Sequence, residues 1–125
     1  MKKILIIENE ETLLDLLYKK ISKDYTVAIL RDSSEIIDKM KEINPDLIIL
    51  ELNMPDKDGF EIINDINAEN IFKHIPIIVI SNTGQPAEID RAIQMGAKDY
   101  FIKTQFNPSE VITKIDKQID NIKNN

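Results

Sequence analysis

The sequence predicts a three-layer α/β sandwich, in which a five-stranded parallel sheet carries helices on both faces. Three observations predict it. Five short apolar runs alternate with five segments of helical period, several of the runs are apolar at nearly every position, and no linker, repeat or low-complexity block breaks the alternation. A strand that is apolar throughout needs cover on both faces, which parallel strands joined by helices receive. The 125 residues form a single predicted domain, residues 1–125, large enough for a substantial core and too small for a receptor or an appended DNA-binding module.

The elements follow in chain order. The first strand is read at 3–7 (KILII) and the first helix at about 10–22, where Leu13, Leu17 and Ile21 form one apolar stripe. A second strand at 25–30 (YTVAIL) precedes a helix at 33–43 with its stripe at Ile36, Met40 and Ile43. The third strand, 46–51 (DLIILE), leads through "LNMPDKDG" into a helix at 58–70. The fourth, 76–81 (PIIVIS), leads to a helix at 86–95 that Pro86 opens and Gly96 stops with a left-handed residue. The fifth, 98–102 (KDYFI), precedes a helix at 108–122 whose stripe is Val111, Ile115, Ile119 and Ile122. There Asn107 is the expected N-cap, with Pro108 at the first helical position and Glu110 at the third.

Right-handed crossovers bring the carboxyl ends of all five strands to one edge, where such sheets bind ligands. That edge gathers Glu8, Asn9 and Glu10 after the first strand, Glu51 and Asn53 after the third, Ser81, Asn82 and Thr83 after the fourth, and Lys103 after the fifth. A loop that cradles phosphate with backbone N–H groups needs glycine, yet the first turn is acidic and the chain's three glycines stand at 59, 84 and 96. A mononucleotide or flavin at that turn is therefore disfavoured. The oxygen-rich edge suits a hard cation such as Mg²⁺, with Lys103 and Ser81 placed to hold an anionic group beside it.

Composition narrows the partners. The 22 Asp and Glu against 16 Lys and Arg disfavour nucleic acid and anionic membranes as direct targets. Without cysteine, disulfides and thiolate metal sites are excluded and the redox compartment stays open. No apolar run approaches the length of a membrane span, and "MKKILIIENEE" is too short in its apolar part for a signal peptide, so a cytoplasmic protein is expected. His74, the one histidine, stands in no ligand pattern.

The motifs "ILIIENEE", "PDLIILELNMPDKDG", "PIIVISN" and "GAKDYFIK", in this order and spacing, resemble those of response-regulator receiver domains over the whole chain. The resemblance implies the flavodoxin-like (βα)5 receiver fold and a place in two-component signalling or a phosphorelay. It implies Mg²⁺ as cofactor, with Glu8, Asn9, Glu51 and the Asn53 backbone carbonyl at the metal positions. Glu51 stands at the position of the phosphorylated aspartate, Ser81 and Lys103 at the phosphoryl contacts, and Tyr100 at the aromatic that moves with the Ser/Thr. Implied partners are a histidine kinase or a downstream signalling protein. The docking face would be the fourth helix, fifth strand and fifth helix, with Arg91, Asp99, Lys114 and Lys117, used by a monomer or a weak homodimer.

Three residues depart from the family pattern. Glu51 replaces Asp at the acceptor position, and its extra methylene moves the carboxylate by up to about 1.5 Å, one C–C bond. In-line transfer tolerates little misplacement. Asn9 replaces the second acid and removes one negative charge beside the metal, so weak Mg²⁺ binding is expected. Thr104 follows the lysine where the family usually has proline, often cis, and a Lys–Thr bond is expected to be trans. The longer Glu51 can also reach toward Ser81 and Lys103, although one charge and two oxygens only partly imitate a phosphoryl group of roughly −2 charge.

The leading expectation is accordingly a stand-alone receiver-like protein with impaired phosphorylation that acts through protein contacts. It would not be an enzyme, beyond at most weak autophosphorylation. An active-like and a resting-like state are both open. The alternatives are a working phosphoacceptor, modified at Glu51 or at a neighbour such as Asp56, and a small-molecule-binding α/β domain on the same scaffold.

Overall fold

Strand β1 (Lys3–Ile7), helix α1 (Glu11–Ile21), strand β2 (Thr26–Leu30) and helix α2 (Ile36–Ile43) open the chain. Strand β3 (Leu47–Glu51), helix α3 (Gly59–Asn67), strand β4 (Ile77–Ser81), helix α4 (Pro86–Gln94), strand β5 (Asp99–Ile102) and helix α5 (Pro108–Lys123) follow. This computed structural model describes residues 1–123, with side chains to Ile122. All strand pairs are parallel in the order β2-β1-β3-β4-β5, as the α/β reading requires.

The apolar runs explain the layering. Alternate residues of each strand face opposite sides, so Leu5, Ile7, Ile48, Leu50, Ile77 and Val79 pack under α2, α3 and α4. Ile4, Ile6, Leu47, Ile49, Ile78 and Ile80 pack under α1 and α5. The edge strand β2 is only half-buried and the three inner strands are buried almost throughout.

Two boundaries move by three residues from expectation, and the others by at most one. Helix α2 begins at Ile36 rather than 33, because Asp32 accepts hydrogen bonds from the Ser34 N–H and hydroxyl, a local turn that competes with helix. Glu35, with φ 55°, then takes the left-handed region. Helix α3 ends at Asn67, and Asn70–Phe72 form a separate 3₁₀ turn that buries Phe72. Strand β2 starts at Thr26, one residue after Tyr25, whose hydroxyl donates to Asp116 of α5. The caps behave as expected: Asn107 Oδ1 accepts from the Ser109 N–H at 2.9 Å, and Gly96 takes φ 109° after α4. The Lys103–Thr104 bond is trans.

Candidate acidic pocket at the carboxyl edge of the sheet

The sheet itself places the two ends of the site. Beyond β1, the Glu8 N–H still donates to the Leu30 carbonyl at 3.0 Å, and beyond β5 the Lys103 N–H donates to the Ser81 carbonyl at 2.7 Å. Both residues thus start from rigid backbone. The loop after β3 is stapled by the Gly59 N–H to the Leu52 carbonyl at 2.8 Å and by Asp58, whose side chain caps α3 at the Phe60 N–H. Gly59 is required by this close approach. A Cβ there would lie 2.4 Å from the Leu52 Cα.

Three carboxylates surround one ammonium. Lys103 Nζ lies 2.7 Å from Glu8 Oε1, 3.1 Å from Glu10 Oε2 and 3.2 Å from Glu51 Oε2. Glu8 and Glu51 are 0% and 1% exposed, so these two carboxylates are shielded from water, while Glu10 is exposed at the rim. Their other oxygens are held by backbone: Glu8 Oε2 accepts from Asn9 N–H at 2.8 Å and Glu10 N–H at 3.3 Å, and Glu51 Oε1 accepts from Asn53 N–H at 2.9 Å. Glu8 Oε1 and Glu51 Oε2 have no hydrogen bond and meet only the lysine's charge. Burial raises the Glu51 pKa against the opposing pull of the Asn53 N–H and Lys103. Burial alone would lower that of Lys103, but Glu8, Glu51 and Glu10 outweigh it and push the ammonium up to about 12.

Beside this cluster, the buried Ser81 hydroxyl accepts from Asn53 Nδ2 at 3.3 Å and from the Thr83 N–H at 3.4 Å. The half-buried Tyr100 donates its hydroxyl to the Thr83 carbonyl at 2.9 Å, packing against the core under α4. Burial raises the phenol's pKa and keeps it a donor. The loops after β3 and β4 and strand β5 are thereby joined through Asn53, Ser81, Thr83 and Tyr100.

The expected residues divide on inspection. Glu8, Glu51 and Lys103 converge, and Asn53 and Ser81 adjoin them. Asn9 is exposed and reaches the cluster only through its backbone N–H. No hydrogen bond joins Glu51 to Ser81 among the described residues, because Asn53 engages both. Asp56 is exposed and turned away, accepting from the Ser33 N–H and hydroxyl at 2.9 and 2.8 Å. Glu10, placed at this edge from sequence but outside the metal and phosphoryl-contact positions, is the third carboxylate on Lys103. Arg91, expected on the docking face, is exposed, and its guanidinium lies 4.1 Å over the Phe60 ring, joining α4 to α3.

As arranged, the pocket does not fit Mg²⁺. That ion demands near-octahedral oxygen ligation at about 2.1 Å, while the two unengaged buried oxygens both face an ammonium, and no three acidic or histidine side chains are grouped as ligands among the described residues.

The family model described as "Response regulator receiver domain" matches residues 4–116. The chain belongs to the receiver domain family. Receiver domains are modules of two-component signalling that work with histidine kinases and downstream partners. This one is 34% identical to the chemotaxis protein CheY of Thermotoga maritima over 118 residues, 93% of this chain and 96% of that protein. Other curated relatives are longer, and the chain spans about half their length. Among solved structures, the signal receiver domain of a Luxo repressor protein from Vibrio parahaemolyticus superposes with a TM-score of 0.88 at 24% identity, covering 98% of this chain and 92% of that one. The Mn²⁺-bound form of response regulator Rcp1 aligns with a TM-score of 0.77 at 24% identity, covering 92% and 89%. No helix of the described residues is long and apolar enough to cross a membrane.

Proposed function

We propose that this receiver domain is a signalling module with impaired phosphoacceptor chemistry, which acts by protein–protein contact and is no enzyme beyond weak autophosphorylation. The observation that carries the reading is the state of Glu51. A phosphoacceptor must present a carboxylate lone pair in line with an incoming phosphorus. Glu51 is 1% exposed, with one oxygen on the Asn53 N–H and the other facing Lys103. Its charge stands where the lysine would meet a phosphoryl group, and Tyr100 is turned inward onto Thr83. Together these favour one held state, with Mg²⁺ bound weakly.

The partner on this reading is a histidine kinase or a downstream signalling protein, met on the face of α4, β5 and α5. Intact-mass measurement after incubation with a small phosphodonor and Mg²⁺ tests the chemistry. Wild type should gain little phosphoryl group, Glu51→Asp more, and Asn9→Asp combined with Glu51→Asp more than either single change, since one corrects reach and the other charge. Wild type labelled as fast as the double variant would overturn the proposal.

A further inference from the structure

A separate cavity of about 260 Å³ opens between the β3–α3 loop and the first turn of α4. Leu52, Met54 and Phe60, all 4–7% exposed, give it apolar walls, and Asn53, Asp58 and Glu88 complete the lining. Its charge is unbalanced. Asp58 keeps one carboxylate oxygen on the Phe60 N–H, and its other oxygen, like both of Glu88, meets no hydrogen bond or ion pair among the described residues. The adjacent Lys57 pairs with Asp65 instead, and Arg91 covers the Phe60 ring without lining the cavity. By contrast, the groove between α1 and the β5–α5 loop contains Lys103, and that along β5 and α5 contains Lys114. Those two grooves bring their own ammonium.

We infer that this cavity binds a small organic cation, an ammonium or guanidinium on a short apolar body. Its charge lies between Asp58 and Glu88, where N–H donors meet free carboxylate oxygens, and its apolar end meets Leu52, Met54 and Phe60. The volume is below the roughly 300–1,000 Å³ that drug-sized ligands fill, so the ligand is a small one. The walls can adjust to it. Met54 is an adaptable side chain, and α4 has Ala92 as its one buried residue, so this helix is lightly seated on the sheet. The ligand also touches Asn53, whose N–H holds Glu51 and whose side-chain amide donates to Ser81. Occupancy is thereby felt at the acidic pocket, and the inference stands whether or not Glu51 accepts a phosphoryl group.

NMR titration of the protein's amides with phenethylammonium tests this, with phenethyl alcohol as the neutral analogue of similar shape. The ammonium should give saturable shifts at the amides of Leu52, Met54, Phe60 and Glu88 and at the Asn53 side chain. It should bind about threefold or more tighter than the alcohol, as one or two part-exposed ion pairs allow. Glu88→Gln changes a half-exposed residue outside the core, and it should lower the affinity for the ammonium while leaving that for the alcohol unchanged. The inference is overturned by the absence of saturable shifts, by equal binding of the two compounds, or by shifts that bypass Asn53 and Glu88. Undiminished ammonium binding in Glu88→Gln overturns it as well. So does a response to N-acetylarginine amide alone, which would assign the site to a partner's side chain rather than to a free small molecule.

Discussion

Glu51 shows how one added methylene alters the physics of a buried position. Its carboxylate sits at the end of an apolar strand, with one hydrogen bond and one ion pair to offset the loss of water. Because burial raises its pKa above the ordinary 4.5, the folded protein holds that proton more tightly than the unfolded chain. The linkage sign follows: this group's contribution to stability is fully present below 4.5 and is lost as pH rises through the raised value. Glu51→Gln cannot lose it. The stability of Glu51→Gln relative to wild type should therefore increase as pH rises above 4.5 in urea denaturation, and a difference that stays constant or shrinks would contradict this assignment. The meeting of Glu51 with Lys103 was legible in the sequence, since both follow strands whose ends share an edge. That Asn53 would intercept the Ser81 contact was not. Beyond a strand's last residue the alternation of faces lapses, so neither the Asn53 side chain's reach nor the exposure of Asn9 could be read from periodicity.

At the scale of elements, the strands and helical stripes were legible because burial on both faces imposes the apolar runs. The boundaries that moved were those decided by local side-chain hydrogen bonds. Asp32 and Ser34 hold three residues out of α2, and Phe72 is buried by a 3₁₀ turn that separates from α3. Gly59 belongs to the same class: nothing in its sequence neighbours announces that the helix start passes against the Leu52 backbone. Replacing it with alanine would put a Cβ 2.4 Å from a backbone atom that cannot rotate away. Gly59→Ala should cost about 1–3 kcal/mol in chemical denaturation, the range for overpacking a tight contact. It should also loosen the Asn53 N–H on Glu51, because the Gly59 N–H to Leu52 staple closes that loop. An unchanged midpoint would show that the loop absorbs the methyl group.

For the molecule as a whole, the face of α4, β5 and α5 is the expected meeting place. Lys114 pairs with Asp99 at 3.4 Å across α5 and β5, and Lys117 is exposed beside them, while Arg91 is drawn toward Phe60. Lysine-directed crosslinks, to a kinase, a downstream partner or a second copy, should fall at Lys98, Lys114 and Lys117. Crosslinks confined to α2 and α3 would move the docking surface elsewhere. The arrangement of layers also bears on biosynthesis. Apart from Ala92 and Ala97, the buried core under α2, α3 and α4 is complete in the chain by Val79, whereas the core under α1 needs Phe101 and the α5 residues Val111, Ile115 and Ile119 to close. A ribosome adding about 5–20 residues per second therefore holds, for some seconds, a nascent chain that has α2 and α3 for one face of the sheet and only α1 for the other. The α5 part of the cover over Ile49 and Ile78 is missing in that interval, and it is then, rather than in the finished protein, that chaperones would meet this chain.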